Sequence, residues 1–264
     1  MDIRDARDRI IVALDVPALD QAKAIVAVLP DARHFKIGME LFTAVGPDAV
    51  HMVHDAGKDV FFDQKNHDIP NTVRGAAAAA TRLRVQMFNV HCLGGIDMMA
   101  AAQQGVLDAT VEMAGVRYTH VLGVTVLTSH TYESLLRLGL VKRWRELFDR
   151  INWDEKGHHR FEQDQVRQCV VRLAKDAKDA GLYGVVASPQ EIVSVREACG
   201  PKFIIVTPGI RPAGASADDQ QRIATPAAAT RAGADYLVVG RPITAASDKA
   251  AAFERIAAEV AADA

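Results

Sequence analysis

The sequence predicts a single (β/α)8 barrel over residues 1–264, a fold in which each of eight parallel strands is followed by a helix. Eight short apolar runs alternate with helical stretches, and most runs are closed by a polar residue, Gly or Pro. Runs that are apolar throughout are typical of strands buried on both faces, as in a parallel sheet. An open doubly wound sheet is the structural alternative, but G-x-G-x-x-G and Walker motifs are missing from the sequence.

The predicted strands are too short for typical buried helices and are mostly rich in Val and Ile. The first four are I-I-V-A-L-D-V (10–16), H-F-K-I-G (34–38), D-V-F-F-D (59–63) and V-Q-M-F-N-V-H (85–91). The other four are H-V-L-G-V-T-V-L (120–127), G-V-V-A-S (184–188), F-I-I-V-T-P-G (203–209) and Y-L-V-V-G-R (236–241). No linker or domain boundary interrupts this series.

Helical patterns fill the spaces between strands. The clearest cover 97–113, 164–180 and, as a closing helix, 248–262. The connection over 129–163 is longer than a barrel needs and carries W-R-E-L-F and W-D-E-K-G-H-H-R. We expect an extra helix and an exposed loop there, which could lie at an oligomer interface.

Composition excludes several classes of function. The net formal charge is −2 and the basic residues are scattered, so no surface for nucleic acid is expected. The three cysteines have no CxxC spacing and indicate reduced thiols. The charged N-terminus does not resemble a signal peptide, and no stretch approaches the roughly 18 apolar residues of a membrane span. A soluble, cytoplasmic protein is therefore expected.

Polar residues recur where the predicted strands end, which is the end at which barrels carry their active sites. They are Asp15, Lys36, Asp63, Lys65, His91, Thr125 and Thr128. Each also has a structural interpretation: Asp15 as a helix cap, Lys36 in a barrel salt bridge, and His91 as a structural histidine, which we favour over a catalyst. The pairs His51/His54 and His158/His159 lack a third ligand nearby in sequence, so no metal site is predicted.

The last loops indicate a phosphate site. Gly240 and Arg241 form a turn after strand eight and before the last helix, where barrels often hold phosphate through backbone N–H groups. Arg241 can add a bidentate contact, and Gly209 in T-P-G-I-R allows a close backbone approach. The segment 211–222 could form a mobile lid.

The segment D-Q-K-N-H-D places Asp63, Lys65 and Asp68 after strand three. Asp63 and Lys65 are two residues apart and point the same way on an extended strand. Two carboxylates beside an ammonium favour its charged form. Such a lysine is a poor Schiff-base nucleophile, but it can stabilise a developing anion and then donate a proton to it.

With these motifs, the chain resembles the orotidine 5′-phosphate decarboxylase family over nearly its whole length. D-Q-K-N-H-D-I-P-N-T is similar to the family signature D-x-K-x-x-D-I-P-x-T. I-V-A-L-D, F-K-I-G-M-E-L-F, N-V-H, V-T-V-L-T-S, T-P-G-I-R and V-V-G-R-P-I-T resemble its other blocks in the same order. Gln64 and Asn66 depart from the pattern, which usually has apolar residues there, and strand alternation would turn both toward the outer layer.

The resemblance implies a homodimer that needs no metal or organic cofactor and converts orotidine 5′-monophosphate to uridine 5′-monophosphate. It implies that Lys65 protonates C6 and that Asp63 lies beside the departing carboxylate. It also implies that Asp68, Ile69 and Thr72 serve the other subunit's site. In the chain's own site, it implies that Asp15 and Lys36 bind the ribose, Thr128 the base, and Gln220, Gly240 and Arg241 the phosphate. Arg211, in the matching T-P-G-I-R block, would be a further substrate contact.

Two other functions stay open from the residues. One is a metal-dependent sugar-phosphate decarboxylase or epimerase of the same superfamily, which would use D-x-K-x-x-D beside a divalent ion. The other is a nucleotide-binding barrel without catalysis. The latter would need the phosphate loops but not the charged cluster, whose burial costs several kcal/mol per ion unless the charges are well paired.

Overall fold

The computed structural model describes residues 2–114, 118–143, 155–212 and 223–262. Those residues form a closed barrel in which each strand pairs in parallel with the next and β1 pairs with β8. The predicted (β/α)8 architecture is therefore confirmed. The strands are β1 Ile10–Ala13, β2 His34–Gly38, β3 Asp59–Asn66, β4 Met87–His91, β5 His120–Val124, β6 Gly184–Val186, β7 Ile204–Thr207 and β8 Tyr236–Val239.

Each strand overlaps one of the predicted apolar runs, but most are shorter than the run. The run at 10–16 continues past the last residue of β1 because Leu14, outside the strand, is still fully buried. β2 coincides with its run, and β3 continues three residues beyond the predicted Asp63, to Asn66. The apolar runs therefore show which residues are buried, not which residues form the hydrogen bonds between strands.

Helices follow the strands and cover the outside of the barrel. Those described are α1 Ile3–Asp8, α2 Leu19–Ala27, α3 Met39–Val45, α4 Asp48–Asp55, α5 Pro70–Arg82, α6 Gly95–Glu112, α7 Tyr132–Arg137, α8 Glu155–Asp179, α9 Ile192–Cys199, α10 Pro226–Arg231, α11 Arg241–Thr244 and α12 Lys249–Ala262. The predicted helices at 97–113, 164–180 and 248–262 correspond to α6, α8 and α12. None of the described helices is long and apolar enough to cross a membrane.

The long connection carries the extra helix that the sequence predicts. α7 begins with a capping box in which Thr131 accepts the amide N–H of Ser134 and the Ser134 hydroxyl accepts the amide N–H of Thr131. Residues 144–154, with W-R-E-L-F, lie outside the described residues. The exposed loop and its place at an oligomer interface stay predictions.

Two apolar layers hold the barrel together. Side chains that alternate inward fill its interior: Ile11, Ala13, Phe61, Met87, Leu122, Val206 and Val238. A second, larger cluster joins the outer faces of the strands to the helices. The inward apolar set ends at Ala13 and Phe61, because the next positions in alternation are Asp15, just past β1, and Asp63 on β3.

α5 begins just after the charged segment D-Q-K-N-H-D. Ile69 has an extended backbone with ψ of 151°, and Pro70 occupies the first turn, where its missing N–H is not needed. α5 packs closely on α6 because Gly105 has no side chain: a Cβ there would lie 2.1 Å from the carbonyl oxygen of Arg74. This close contact sets the position of α5 against α6.

Candidate active site

A cavity of about 560 Å³ opens at the carboxyl ends of the strands. It brings together most of the residues that the sequence predicts for the site: Asp15, Lys36, Asp63, Lys65, Thr128, Arg211, Gly240 and Arg241. Ser129, Ser188 and Thr244, which were not predicted, also line it. Its size suits a nucleotide-sized ligand, since ligand sites commonly measure about 300–1,000 Å³.

Four charges of alternating sign run across one wall of this cavity. The Lys36 ammonium lies 2.7 Å from Oδ1 of Asp15 and 3.3 Å from Oδ2 of Asp63. The other oxygen of Asp63, Oδ1, lies 2.7 Å from the ammonium of Lys65. Gly38 leaves room for this row, because a Cβ there would lie 3.0 Å from the Lys36 ammonium. Lys36 therefore forms the salt bridge considered for it while still facing the cavity.

The ion pairs determine the protonation states of Asp63 and Lys36, the two most buried residues of this row. Burial alone would raise the pKa of Asp63, but the charges of Lys36 and Lys65 and hydrogen bonds from Lys65 and Asn89 outweigh it and lower that pKa. Burial likewise opposes the charged form of Lys36, yet Asp63 and Asp15 raise its pKa. Asp63 is thus anionic and Lys36 cationic at neutral pH.

Lys65 lies in a bulge rather than on a regular strand. β3 and β4 pair at Phe62 with Phe88 and again at Asn66 with Val90, so three residues of β3 face one of β4. Lys65 has a φ of 51°, a left-handed conformation that costs a non-glycine residue about 1–2 kcal/mol. Asp63 and Lys65 do point the same way, but regular strand alternation is the wrong reason for it.

Asn89, the single β4 residue opposite the bulge, was not among the predicted site residues. Its Nδ2 donates to Oδ1 of Asp63 at 2.7 Å, and its Oδ1 accepts the backbone N–H of Lys65 at 2.7 Å. Its side chain is fully buried. The available signal was a polar residue two positions after Met87, on the same inward face of β4.

Asp68 lies outside the row of charges. Its carboxylate accepts the N–H of Ile69 at 2.6 Å, and its side chain is exposed. No ion pair within 4 Å joins it to Lys65 in the described structure. Within one chain, the expectation that two carboxylates flank Lys65 is therefore wrong: Asp63 is the only one in ion-pair contact. Ile69 and Thr72 are exposed as well.

His91 has the environment of a structural histidine. Its ring stacks on His67 with centroids 5.6 Å apart, and its Nδ1 accepts the N–H of Leu93 at 3.3 Å. Burial, followed by the charges of His67, His130 and Lys65, lowers its pKa to about 4. It is therefore neutral at pH 7, which supports the interpretation that the sequence favoured.

The loops that follow β7 and β8 have the features expected of a phosphate site. Gly209 has a φ of 79°, which suits glycine, and Arg211 is only 7% exposed. Gly240 immediately precedes α11, and the exposed Arg241 begins it. Gln220 and most of the predicted lid, residues 213–222, lie outside the described residues. Among the residues described, no group of three or more His, Cys, Asp or Glu could hold a metal ion.

A parallel barrel with paired charges in a cavity at its strand ends has the architecture of the (β/α)8-barrel enzymes. Residues 8–256 match the model of the orotidine 5′-phosphate decarboxylase / HUMPS family, and the chain belongs to that family.

Individual relatives support the same family assignment. The chain is 50% identical to the orotidine 5′-phosphate decarboxylase of Moorella thermoacetica, over 97% of this chain and 93% of that protein. It is 46% identical to that of Geobacter sulfurreducens, over 97% of each. The crystal structure of the Lactobacillus acidophilus orotidine 5′-phosphate decarboxylase superposes with a TM-score of 0.76 at 37% identity, covering 96% of this chain and 99% of that one.

Proposed function

We propose that this chain is an orotidine 5′-phosphate decarboxylase, converting orotidine 5′-monophosphate to uridine 5′-monophosphate and CO2 in pyrimidine biosynthesis. One observation carries the proposal: a Lys65 ammonium paired at 2.7 Å with the anionic Asp63 inside the cavity. Family membership and the similarity to enzymes of that name support it.

The chemistry needs a proton donor at the reacting carbon. When the bond from C6 to the carboxylate breaks, CO2 leaves and the electron pair stays on C6. The Lys65 ammonium then donates a proton to C6 and regains one from water. Its attraction to C6 grows as charge develops there, and only such differential stabilisation accelerates the step.

Repulsion from Asp63 is the smaller contribution. Two like charges about 4 Å apart at an effective dielectric near 20 interact by roughly 4 kcal/mol. Lys65 and Lys36 both bind Asp63 and offset much of that repulsion on the substrate carboxylate. We therefore assign the main effect to Lys65 and an auxiliary one to Asp63.

The rest of the cavity suits the rest of the nucleotide. Asp15 and Lys36 can bind ribose hydroxyls, and Thr128 can contact the base, because all three line the same cavity. Gly240, Arg241 and Arg211, on the loops after β7 and β8, can bind the phosphate. Gln220 is a further predicted contact. Binding energy from this distant group can hold the reacting carbon against Lys65.

A homodimer is part of the proposal. Asp68 and Thr72 are exposed and would complete the neighbouring subunit's site rather than their own. Ile69 is 67% exposed, and Leu93 and Ile96, which follow the next strand, are also exposed. Such apolar side chains at one end of the barrel favour a partner that covers them.

The deciding experiment is turnover without metal. Protein treated with EDTA is mixed with orotidine 5′-monophosphate, and the loss of substrate absorbance is followed. We expect turnover. The proposal is wrong if the protein is inactive on this nucleotide and acts only on a sugar phosphate with Mg²⁺, as a metal-dependent superfamily member would. A barrel that only binds nucleotides would act on neither.

Lys65→Ala is the matched variant. It removes the proton donor but leaves the loops after β7 and β8 intact, so we expect no measurable turnover with uridine 5′-monophosphate still bound. Calorimetric titration of the product nucleotide measures the second quantity. Retained turnover in this variant would remove Lys65 from the chemistry.

A further inference from the structure

We infer that Asn89 is a positioning residue for the reaction: its side-chain amide fixes both the backbone of Lys65 and the carboxylate of Asp63. The inference rests on the proposed decarboxylation, because it concerns the geometry of the proton donor. It assigns a role to a buried side chain that lies outside the D-x-K-x-x-D segment.

The first support is the position of Asn89 in the sheet. It is the only β4 residue between the two points where β3 and β4 are in register, and it faces Asp63, Gln64 and Lys65. A bulge leaves ladder groups without their regular partners. The amide oxygen of Asn89 accepts the backbone N–H of Lys65 at 2.7 Å and so takes the place of a ladder acceptor.

The second support is that the other end of the same amide binds the catalytic carboxylate. Nδ2 of Asn89 donates at 2.7 Å to Oδ1 of Asp63, the same oxygen that the Lys65 ammonium binds at 2.7 Å. One rigid, fully buried amide thus links the main chain of Lys65 to the partner of its side chain. An apolar residue could make neither contact.

Backbone strain at Lys65 makes this link necessary. Left-handed conformations of non-glycine residues persist only where their surroundings hold them. Without the amide, the bulge can relax toward a regular strand, and the ammonium moves away from the reacting carbon. Misplacement of a catalytic group by about 1 Å can cost on the order of 100-fold in rate.

The test is Asn89→Ala, measured as kcat and KM separately. We expect kcat to fall by about 10- to 100-fold, while KM changes by less than about threefold because the loops after β7 and β8 are untouched. Thr119→Val is the control. Thr119 is fully buried, and its hydroxyl donates to the carbonyl of Val85 at 2.8 Å, so its loss perturbs the barrel with kcat unchanged.

Asn89→Asp separates positioning from simple packing. The new carboxyl has the same shape and can still accept the Lys65 N–H, but when ionised it repels Asp63. Two adjacent carboxyls hold one proton between them, and the protonated form donates as the amide does. We expect the activity of this variant, relative to the native protein, to rise as the pH falls from about 8 to about 5.

The charged groups around that position are Asp63 and Lys65 on β3 and Lys36 on β2, with His91 two residues along β4. β5 presents the apolar Leu122 beside Asn89. The native cluster keeps its charges over that pH range, because the pKa of Asp63 is lowered and the pKa of Lys36 is raised. A pH-dependent rescue is therefore attributable to the new carboxyl.

The outcomes are distinguishable. If the native protein turns over and Asn89→Ala keeps kcat within about threefold, this inference alone is overturned. It is also overturned if both Asn89 variants fail to fold while Thr119→Val folds, since the role is then structural. If the native protein does not decarboxylate orotidine 5′-monophosphate, the proposed function fails first and this inference with it.

Discussion

Lys36 and Lys65 bind opposite oxygens of one carboxylate, at 3.3 Å and 2.7 Å from the two Oδ atoms of Asp63. One lysine comes from β2 and the other from the bulge of β3, so neighbouring strands jointly neutralise a buried charge. Asp15 then compensates Lys36 at 2.7 Å. The site therefore holds a protonated lysine beside an anion without leaving an unpaired charge in the barrel.

Lys36→Met tests how this row sets the charge of Asp63. The variant keeps the burial that raises the pKa of Asp63 but removes one cation that lowers it. We expect the acid limb of the kcat/KM profile to move to higher pH by about 1 to 3 units. A pH–rate profile of the native and variant proteins measures the shift.

Lys36→Met should also reduce the stability that the lowered pKa of Asp63 contributes at neutral pH. In the native protein, the lowered pKa of Asp63 contributes stability above the unfolded-state value of about 3.9, and this is lost as pH falls through the folded value. Without Lys36 that contribution shrinks. Lys58→Met is the control for the pH–rate profile, because this half-buried lysine bonds the carbonyl of Pro30, away from the cavity. An unmoved acid limb in Lys36→Met would show that Lys36 does not set the ionisation of Asp63.

Arg241→Ala tests the proposed phosphate site on the loops after β7 and β8. A hydrogen bond to a charged group contributes about 1.5–3 kcal/mol, so we expect KM to rise by about 10- to 100-fold. Steady-state kinetics with orotidine 5′-monophosphate measures this, and uridine without its phosphate should bind the two proteins equally. Arg82→Ala is the control, because Arg82 forms an exposed ion pair with Glu112 at 2.6 Å. An unchanged KM would place the phosphate elsewhere.

Asp68→Asn tests the shared site by complementation. Asp68 is exposed and outside its own chain's row of charges, so we expect the variant to fold and to lose most activity. Mixing it with Lys65→Ala should restore activity, since a mixed dimer has one site with both residues intact. Random exchange of subunits would give up to about a quarter of native activity, with half of the dimers mixed and one good site in each.

The control for that experiment is a mixture of Lys65→Ala with Asp63→Asn. Both residues belong to one chain's site, at 2.7 Å, so a mixed dimer has no intact site and should stay inactive. Light scattering establishes the dimer in each sample. Absence of rescue in the first mixture, with dimers present, would place Asp68 outside the neighbouring site.

The strands and most of the cavity could be predicted from the sequence because both follow from local pattern. An apolar run ended by a polar residue gives a buried strand, and parallel strands bring residues such as Asp15 and Asp63 to the same end. The contact of Lys36 with Asp63 joins two strands and depends on their register. It could be expected as a salt bridge, but its partner could not be named.

Other features depend on neighbours that the local sequence does not contain. The bulge at Lys65 arises from the register of β3 against β4, so D-Q-K-N alone looks like regular strand. The role of Asn89 follows from that bulge. Asp68 lies outside its own cluster, and its proposed role needs a second chain. For Gln64, whose Nε2 is buried with no hydrogen-bond partner among the described residues, the structure offers no physical explanation.

His91→Asn tests the histidine at the end of β4 through stability. The unfolded chain protonates His91 with a pKa near 6.5, whereas the folded chain does so at about 4, because burial and nearby positive charges oppose the cation. Between these values the unfolded state binds more protons, so this group reduces stability as pH falls from 6.5 toward 4. Asn removes that titration while its side chain can still accept the N–H of Leu93.

We therefore expect the free energy of unfolding in urea to drop less between about pH 7 and pH 5 in His91→Asn than in the native protein. His34 and His54, whose pKa values burial also lowers, contribute equally to both proteins and cancel in the comparison. Thr119→Val, which removes a buried hydrogen bond but no titrating group, should keep the native drop. Equal drops in the native and His91→Asn proteins would mean that His91 is not held neutral by the fold.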